Sequence, residues 1–180
     1  MKSTLIFALI MVTAHVALPQ QPGKVVFDEA TNQEILYGDC DVTDFQKAPF
    51  SKWFNQEFKS YIPDAAISDS LNPKVENIEI KIILGTWCSD SQREVPRFFK
   101  ILESLNFPKE KTYTVCVNGE KTAVEYRIFQ GDIEFVPTFI ILLEGVEIGR
   151  IVETPIHSLE KDMLDILNGK YNRSNAADEV

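Results

Sequence analysis

The stretch at 81–98, KIILGTWCSDSQREVPRF, joins an apolar run directly to a helical pattern. The β-branched residues before Gly85 predict a largely buried strand. After Cys88, apolar residues recur at helical intervals from Val95 to Leu105. A buried strand followed within a few residues by an amphipathic helix is the first part of a βαβ unit. The chain is therefore expected to build a sheet that contains parallel strands.

Further elements follow the same reasoning from residue 75 onward. The predicted order is strand, helix, strand, helix, strand, strand, helix. The strands are predicted in IEIKIILG, KTYTVCV, PTFIILLEG and VEIGRIVE, and the helices in SQREVPRFFKILESLNF, TAVEYRIFQ and SLEKDMLDILNGK. The Glu-Gly pair between the last two strands is a hairpin signal. The predicted fold class is α/β, with a mixed sheet that has helices on both faces.

An aromatic-rich segment precedes this domain. Phe45, Phe50, Trp53, Phe54 and Phe58 are spaced to share one face of a helix that starts near the proline at 49 and ends before the proline at 63. A second short helix is predicted in DAAISDSLN. We interpret the aromatic face as core packing rather than a cofactor site. Residues 18–74 are therefore predicted to form an N-terminal helical extension of the domain at 75–170, and 171–180 a loose tail.

Residues 1–17 are typical of a secretory signal peptide. A lysine at position 2 precedes an apolar run and small residues near Ala14 and Ala17. The run is shorter than the roughly 20 residues that a membrane-spanning helix needs. The sequence thus predicts an exported protein, periplasmic or extracellular, with no stable membrane insertion after removal of the leader.

Charge and histidine content restrict the possible partners. The 180-residue chain has 27 acidic and 18 basic residues, a net charge of -9. This charge argues against binding to nucleic acid, because there is no basic surplus to neutralise phosphates. The two histidines do not form a ligand cluster with the cysteines, so neither a metal site nor another cofactor is predicted.

The motif TWCSDS, the proline eight residues after its cysteine and the later segment FVPTFIIL resemble the thioredoxin superfamily. The matching positions are Trp87, Cys88, Pro96 and the Val-Pro-Thr segment at 136–138, and the resemblance covers about 75–170. The whole chain is similar to exported bacterial thioredoxin-like proteins. The resemblance implies a thioredoxin fold, a cis peptide bond before Pro137 that faces the cysteine, and substrate binding along Val136, Pro137 and Thr138.

Ser91 departs from the family pattern, because it replaces the second cysteine of the Trp-Cys-x-x-Cys site. Dithiol cycling within this motif is chemically impossible. With Glu94, Ser91 forms a Ser-x-x-Glu capping box, which predicts that it caps the helix and hydrogen-bonds the Cys88 thiolate. A helix N-terminus favours a thiolate, whereas the nearby Asp90 carboxylate disfavours one.

The three cysteines are an odd number, so an exported chain must leave one thiol free or pair it with another molecule. Cys116 lies among strand residues and is interpreted as a small buried hydrophobic side chain. For Cys40, three alternatives stay open: a resolving thiol for Cys88, a buried core residue, or a partner of Cys116.

The predicted activity is single-thiol exchange, of an isomerase or mixed-disulfide type, on thiol- or disulfide-bearing proteins or small molecules. Cys88 is the expected nucleophile, framed by Trp87 and Pro137. The alternative is a non-enzymatic binding or chaperone-like module that uses the groove beside Pro137.

Overall fold

The structure, a computed structural model, describes residues 23–123 and 133–171. The strands are β1 Lys24–Asp28, β2 Gln33–Cys40, β3 Ile78–Leu84, β4 Thr112–Cys116, β5 Thr138–Leu143 and β6 Val146–Val152. The α-helices are α1 Val42–Phe45, α2 Ser51–Ser60, α3 Ala65–Leu71, α4 Ser89–Ser104 and α5 Leu159–Leu167. Short 3-10 turns occur at Asn72–Lys74 and Lys109–Lys111.

The six strands form one mixed sheet in the order β1-β2-β4-β3-β5-β6. Only β3 and β4 are parallel among these pairs, and α4 crosses between them. The predicted α/β class, with a mixed sheet flanked by helices, is confirmed. The helix predicted at 122–130 lies mostly outside the described residues, and the idea that helices cover both faces stays a prediction.

Alternation along β3 divides the core between the two faces of the sheet. Its even-numbered residues, Ile78, Ile80, Ile82 and Leu84, lie in a large apolar cluster to which all five described α-helices contribute. We call this the helix-side cluster. Ile83 points the other way, into a smaller cluster with Val115 and Ile140, here called the opposite-face cluster. Successive strand residues face opposite sides, so a single strand supplies both clusters.

The N-terminal extension is not wholly helical, and the prediction for 18–74 is wrong for its first part. Residues 24–40 form β1 and β2, which belong to the same sheet as the rest. Ile35 and Leu36 are consecutive and both buried, so β2 lacks the alternation that reveals a half-exposed strand. At Gly38, with φ of 91°, β2 changes from pairing with β1 to pairing with β4.

The aromatic stripe packs as predicted. Phe45 and Phe54 are fully buried and stack with ring centroids 5.6 Å apart. The helix that carries most of the stripe begins at Ser51, and its Glu57 binds Arg97 of α4 at 2.8 Å. The extension therefore covers α4 and completes the helix-side cluster.

The two chain ends predicted as leader and tail, 1–17 and 171–180, lie outside the described residues except for Tyr171. Among the helices that are described, none has the length and apolar character needed to cross a membrane.

Candidate functional site

Cys88 lies where β3 passes into α4. The strand ends at Leu84 and the helix begins at Ser89, so Cys88 is the residue that precedes the first helical turn. Its backbone is extended (φ -86°, ψ 128°), its N–H donates to the Gly85 carbonyl at 2.9 Å, and its carbonyl accepts from Gln92 N at 3.0 Å. The first N–H groups of a helix have no partner within the helix, and they carry partial positive charge. The thiol is therefore placed at the electropositive end of α4.

The Cys88 side chain faces the segment before β5. Its Sγ donates to the Val136 carbonyl at 3.2 Å, and the Val136–Pro137 peptide bond is cis, in agreement with the expectation. The Pro137 carbonyl accepts from Glu153 N at 2.7 Å, which fixes this segment to the end of β6. Thr138, the first residue of β5, is buried, and its hydroxyl donates to a backbone carbonyl at 2.7 Å. The structure thus brings together Cys88, Val136 and Pro137.

Trp87 closes one side of this turn. Its Nε1 donates to the Val117 carbonyl at 3.1 Å, and its ring packs on the opposite-face cluster. The ring also lies directly against Gly85, where an added Cβ would come within 2.5 Å of the indole. Gly85 is therefore required for close approach of the Trp87 ring, and Trp87 holds the turn against the loop that follows β4.

Ser91 has a different role from the predicted one. Cys88, not Ser91, is the N-cap, and Ser91 is fully buried as the third helical residue. Its Oγ accepts from Gly85 N at 3.3 Å, and no hydrogen bond between Ser91 and Cys88 occurs among the described residues. Glu94 binds the Arg93 side chain at 2.6 Å rather than reaching back to a cap. The predicted capping box is wrong, because the helix starts two residues before Ser91.

Asp90 lies two residues after the thiol but is not an isolated negative charge. Its Oδ1 is 2.8 Å from Arg93 Nη2, and Arg93 also binds Glu94. The guanidinium offsets part of the field that Asp90 would otherwise exert at Cys88. Because both side chains of the Asp90–Arg93 pair are partly exposed, solvent weakens the effect.

Sequence reasoning missed the residues that connect this turn to the N-terminal hairpin. Thr86 Oγ1 accepts from Leu36 N at 3.1 Å, and Gln92 Nε2 donates to the Thr86 carbonyl at 2.8 Å. Asp28 Oδ2 accepts from Gly119 N at 3.2 Å, in the loop after β4. Nothing in the local sequence could have indicated these contacts, since Leu36 and Thr86 are 50 residues apart along the chain.

The other two cysteines form a disulfide, Cys40–Cys116, with Cα atoms 6.4 Å apart. Of the three alternatives for Cys40, the structure has the pairing with Cys116, and Cys88 remains free. Both bridged residues are buried in the helix-side cluster. Within 23–123 and 133–171, no group of three or more His, Cys, Asp or Glu residues could hold a metal ion.

Fold and site together define a mixed α/β protein with one free thiol at a strand-to-helix turn. No family model matches this chain, and no curated protein matches it either. It is similar to the solved structure of a protein of unknown function from Pseudomonas aeruginosa, with a TM-score of 0.40 and 15% identity over 67% of this chain and 73% of that one. An HIV epitope-scaffold gives a TM-score of 0.39 and 16% identity, again over 67% and 73% of the two chains.

Proposed function

We propose that this chain is an exported thioredoxin-fold protein that carries out thiol–disulfide exchange through Cys88 alone. One observation carries the proposal: the free cysteine lies at the start of α4, with its sulfur 3.2 Å from the carbonyl before the cis Pro137. The parallel β3-α4-β4 unit and the β5-β6 hairpin support the finer assignment to the thioredoxin fold.

In the proposed reaction, the Cys88 thiolate attacks one sulfur of a substrate disulfide. A new sulfur–sulfur bond forms to Cys88, the substrate bond breaks, and the second substrate sulfur leaves as a thiolate. Another thiol of the substrate then attacks the mixed disulfide and releases Cys88, so the number of disulfides is unchanged. If an external small thiol attacks the Cys88 sulfur of the intermediate instead, the substrate leaves with both of its sulfurs as thiols, and a second small thiol then releases Cys88. Two small thiols are joined in one disulfide, and the substrate disulfide is reduced.

The surroundings of Cys88 suit such a single-thiol cycle. The partial positive charge at the N-terminus of α4 favours negative charge on the Cys88 sulfur as it attacks and as it leaves. Ser91 has no thiol with which to release the intermediate, and the buried Ser91 hydroxyl positions the turn through Gly85. The mixed disulfide therefore persists until another thiol arrives. The backbone at 136–138 is the surface along which the family resemblance implies that a substrate segment binds.

The buried Cys40–Cys116 bridge supports the proposed location outside the cytoplasm. Structural disulfides persist in oxidising compartments and are rare where glutathione and thioredoxin keep thiols reduced. The proposed partners are accordingly thiol- or disulfide-bearing proteins or small molecules of the periplasm or the extracellular space.

The test is mixed-disulfide formation with oxidised glutathione, followed by mass spectrometry. The native protein should gain one glutathione adduct, mapped to Cys88, and Cys88→Ser should gain none. In Ser91→Cys, which restores the second thiol, the new thiol should displace glutathione from Cys88 and form an intramolecular disulfide with it. An adduct rate at Cys88 no higher than that of a short unstructured peptide containing TWCSDS would contradict the proposal.

A second function, a binding or chaperone-like module, is favoured by one observation. Phe135 is 43% exposed beside Val136, and Lys121 Nζ lies 5.7 Å from the centroid of its ring. An exposed aromatic side chain beside the 136–138 segment can hold an apolar segment without any covalent step. Binding of a reduced, unfolded protein that survives Cys88→Ser but is lost in Phe135→Ser would support this function over exchange.

A further inference from the structure

Strand β1 leaves one edge of the sheet open. It is the outermost strand of the order β1-β2-β4-β3-β5-β6, and among the described residues only β2 pairs with it. Two of its five residues are large, apolar and exposed: Val25 is 51% exposed and Phe27 62%. They are two positions apart, so they share one face of the strand. An open edge with exposed apolar side chains is a surface on which another strand can add.

The opposite edge, β6, is protected in ways that β1 is not. The pairing of β5 with β6 shifts register between Ile141 and Leu142, an irregularity that distorts the edge. Glu147 and Arg150 of β6 form an ion pair at 2.6 Å across the middle of that strand. Bulges and charges in mid-strand are devices that discourage edge pairing. In β1 the charged residues are confined to the two ends, Lys24 and Asp28.

The order of residues in β1 is complementary to itself. In an antiparallel pair of two copies centred on Val26, Lys24 of each copy lies opposite Asp28 of the other. Val25 of each copy then lies opposite Phe27 of the other, on the exposed apolar face. Opposite charges and aromatic–β-branched pairs directly across a ladder are both stabilising. A two-fold axis produces each favourable pair twice.

We propose that β1 is a homodimer interface, through which the sheets of two copies join edge to edge by antiparallel pairing of Lys24–Asp28. The partner is a second copy of this chain, because charge and apolar positions match in this one register. The Asp28 carboxylate is ordered within its own chain: its Oδ2 accepts from Thr31 Oγ1 at 2.6 Å and from Gly119 N at 3.2 Å. It thus keeps a fixed position at the end of the strand that Lys24 of the other copy would approach.

Sedimentation equilibrium over total concentrations from about 1 μM to about 1 mM tests the dimer. The native protein should show a monomer–dimer equilibrium. Lys24→Glu places like charges opposite each other twice and should raise the dissociation constant about tenfold. Val25→Lys should weaken the dimer at least as much. Neither side chain lies in the core, so both variants should keep the native circular dichroism spectrum.

Val146→Lys is the matched control, since Val146 is 67% exposed on the opposite edge strand. It should leave the dissociation constant unchanged. A protein that is monomeric at every concentration overturns the proposal. A dimer that both β1 variants leave intact also overturns it, whether or not Val146→Lys breaks that dimer.

A cross-link tests the register. In the Cys88→Ser background, Val26→Cys places two thiols opposite each other at the two-fold axis, at Cα separations of about 4.5–5.5 Å that suit a disulfide. Mild oxidation should give a covalent dimer, and Val146→Cys in the same background should not. Equal cross-linking of the two variants would indicate random collision and count against the proposed interface.

Discussion

The two cysteine sites lie at the same end of two neighbouring parallel strands, yet their surroundings differ. Leu84 of β3 is in register with Cys116 of β4. Cys116 is the last residue of its strand, points into the helix-side cluster and is fully buried in a disulfide with Cys40. Cys88 lies four residues beyond Leu84 and is half-buried against the opposite-face cluster, with hydrogen bonds to backbone groups.

This difference separates a stabilising role from a chemical one. A buried bridge between adjacent strands is inaccessible to other thiols, and it restricts the unfolded chain. A half-exposed thiol at a helix N-terminus is less enclosed than the bridge, and it is available for exchange. This arrangement accounts for the odd number of cysteines, because two of them form the bridge and the third is free.

The largest expected effect is loss of the bridge. The double variant Cys40→Ala/Cys116→Ala should lower the free energy of unfolding by about 2–5 kcal/mol, the usual cost of losing a native disulfide. The two cysteines are 76 residues apart, so the bridge closes a long loop in the unfolded chain, and the truncation also leaves space in the core. Urea unfolding followed by circular dichroism measures the change.

Cys88→Ala is the matched control for that measurement, because it removes the third cysteine from a half-buried position. It should change the free energy of unfolding by less than about 1 kcal/mol. If Cys88→Ala proved as destabilising as the double variant, the two sites would not differ in their contribution to stability.

A smaller effect is expected from Ser91, where the chain has a hydroxyl in place of the second motif cysteine. Ser91→Ala leaves the buried Gly85 N–H without its acceptor, which should cost about 1–3 kcal/mol. The same change should alter the rate of glutathione adduct formation at Cys88, since Gly85 also accepts from Cys88 N and so sets the turn.

Ser89→Ala provides the control in the same turn. Ser89 is an exposed side chain at the first position of α4, so its loss should leave both stability and adduct rate nearly unchanged. Equal effects of the two alanine variants would show that the Ser91 hydroxyl does not support the turn.

Local patterns were sufficient to predict most of the fold. The aromatic stripe, the β3-α4 junction and the β5-β6 hairpin each have a period or a turn signal within a single segment. The hairpin turn is an example: Glu144 and Gly145 both have positive φ, the conformation that a two-residue hairpin loop requires. β1 and β2 were missed although they pair with each other as a local hairpin, because Ile35 and Leu36 are both buried and β2 lacks a strand alternation. The pairing of β2 with β4 and the disulfide depend on residues far along the chain.

At the site, the sequence predicted the meeting of Cys88 with Pro137, but only through a family resemblance. Spacing alone cannot indicate that the Cys88 sulfur lies 3.2 Å from the carbonyl oxygen of Val136, which is 48 positions further along the chain. The true helix start also escaped prediction, because Ser-x-x-Glu imitates a cap while Cys88, which makes no side-chain cap bond, is the residue before the helix. No sequence pattern indicated the roles of Thr86 and Asp28, because their side chains accept hydrogen bonds from backbone N–H groups far along the chain.

The smallest expected effect concerns Asp28, which fastens the hairpin that carries Cys40 to the loop following Cys116. The hydrogen bond from the Thr31 hydroxyl, together with bonds from backbone N–H groups that include Gly119, holds the pKa of Asp28 below its ordinary value. A carboxyl whose pKa is lower in the folded state stabilises the fold above its unfolded pKa of about 4, and this contribution is lost as the pH falls through the folded value. Asp28→Asn should therefore be less stable than the native protein near pH 6 by a small margin.

That margin should shrink as the pH falls from about 5 towards about 3, because protonation removes the same charge from the native protein. Urea midpoints of the two proteins at several pH values measure it, and the other carboxyls titrate equally in both and cancel in the difference. A margin that stays constant across this range would mean that the Asp28 charge does not contribute and that only the shape of the side chain matters. In that case the charge of Asp28 would add nothing to the contacts that join the hairpin to the rest of the sheet, which are the β2–β4 pairing, the disulfide and the Leu36–Thr86 bond.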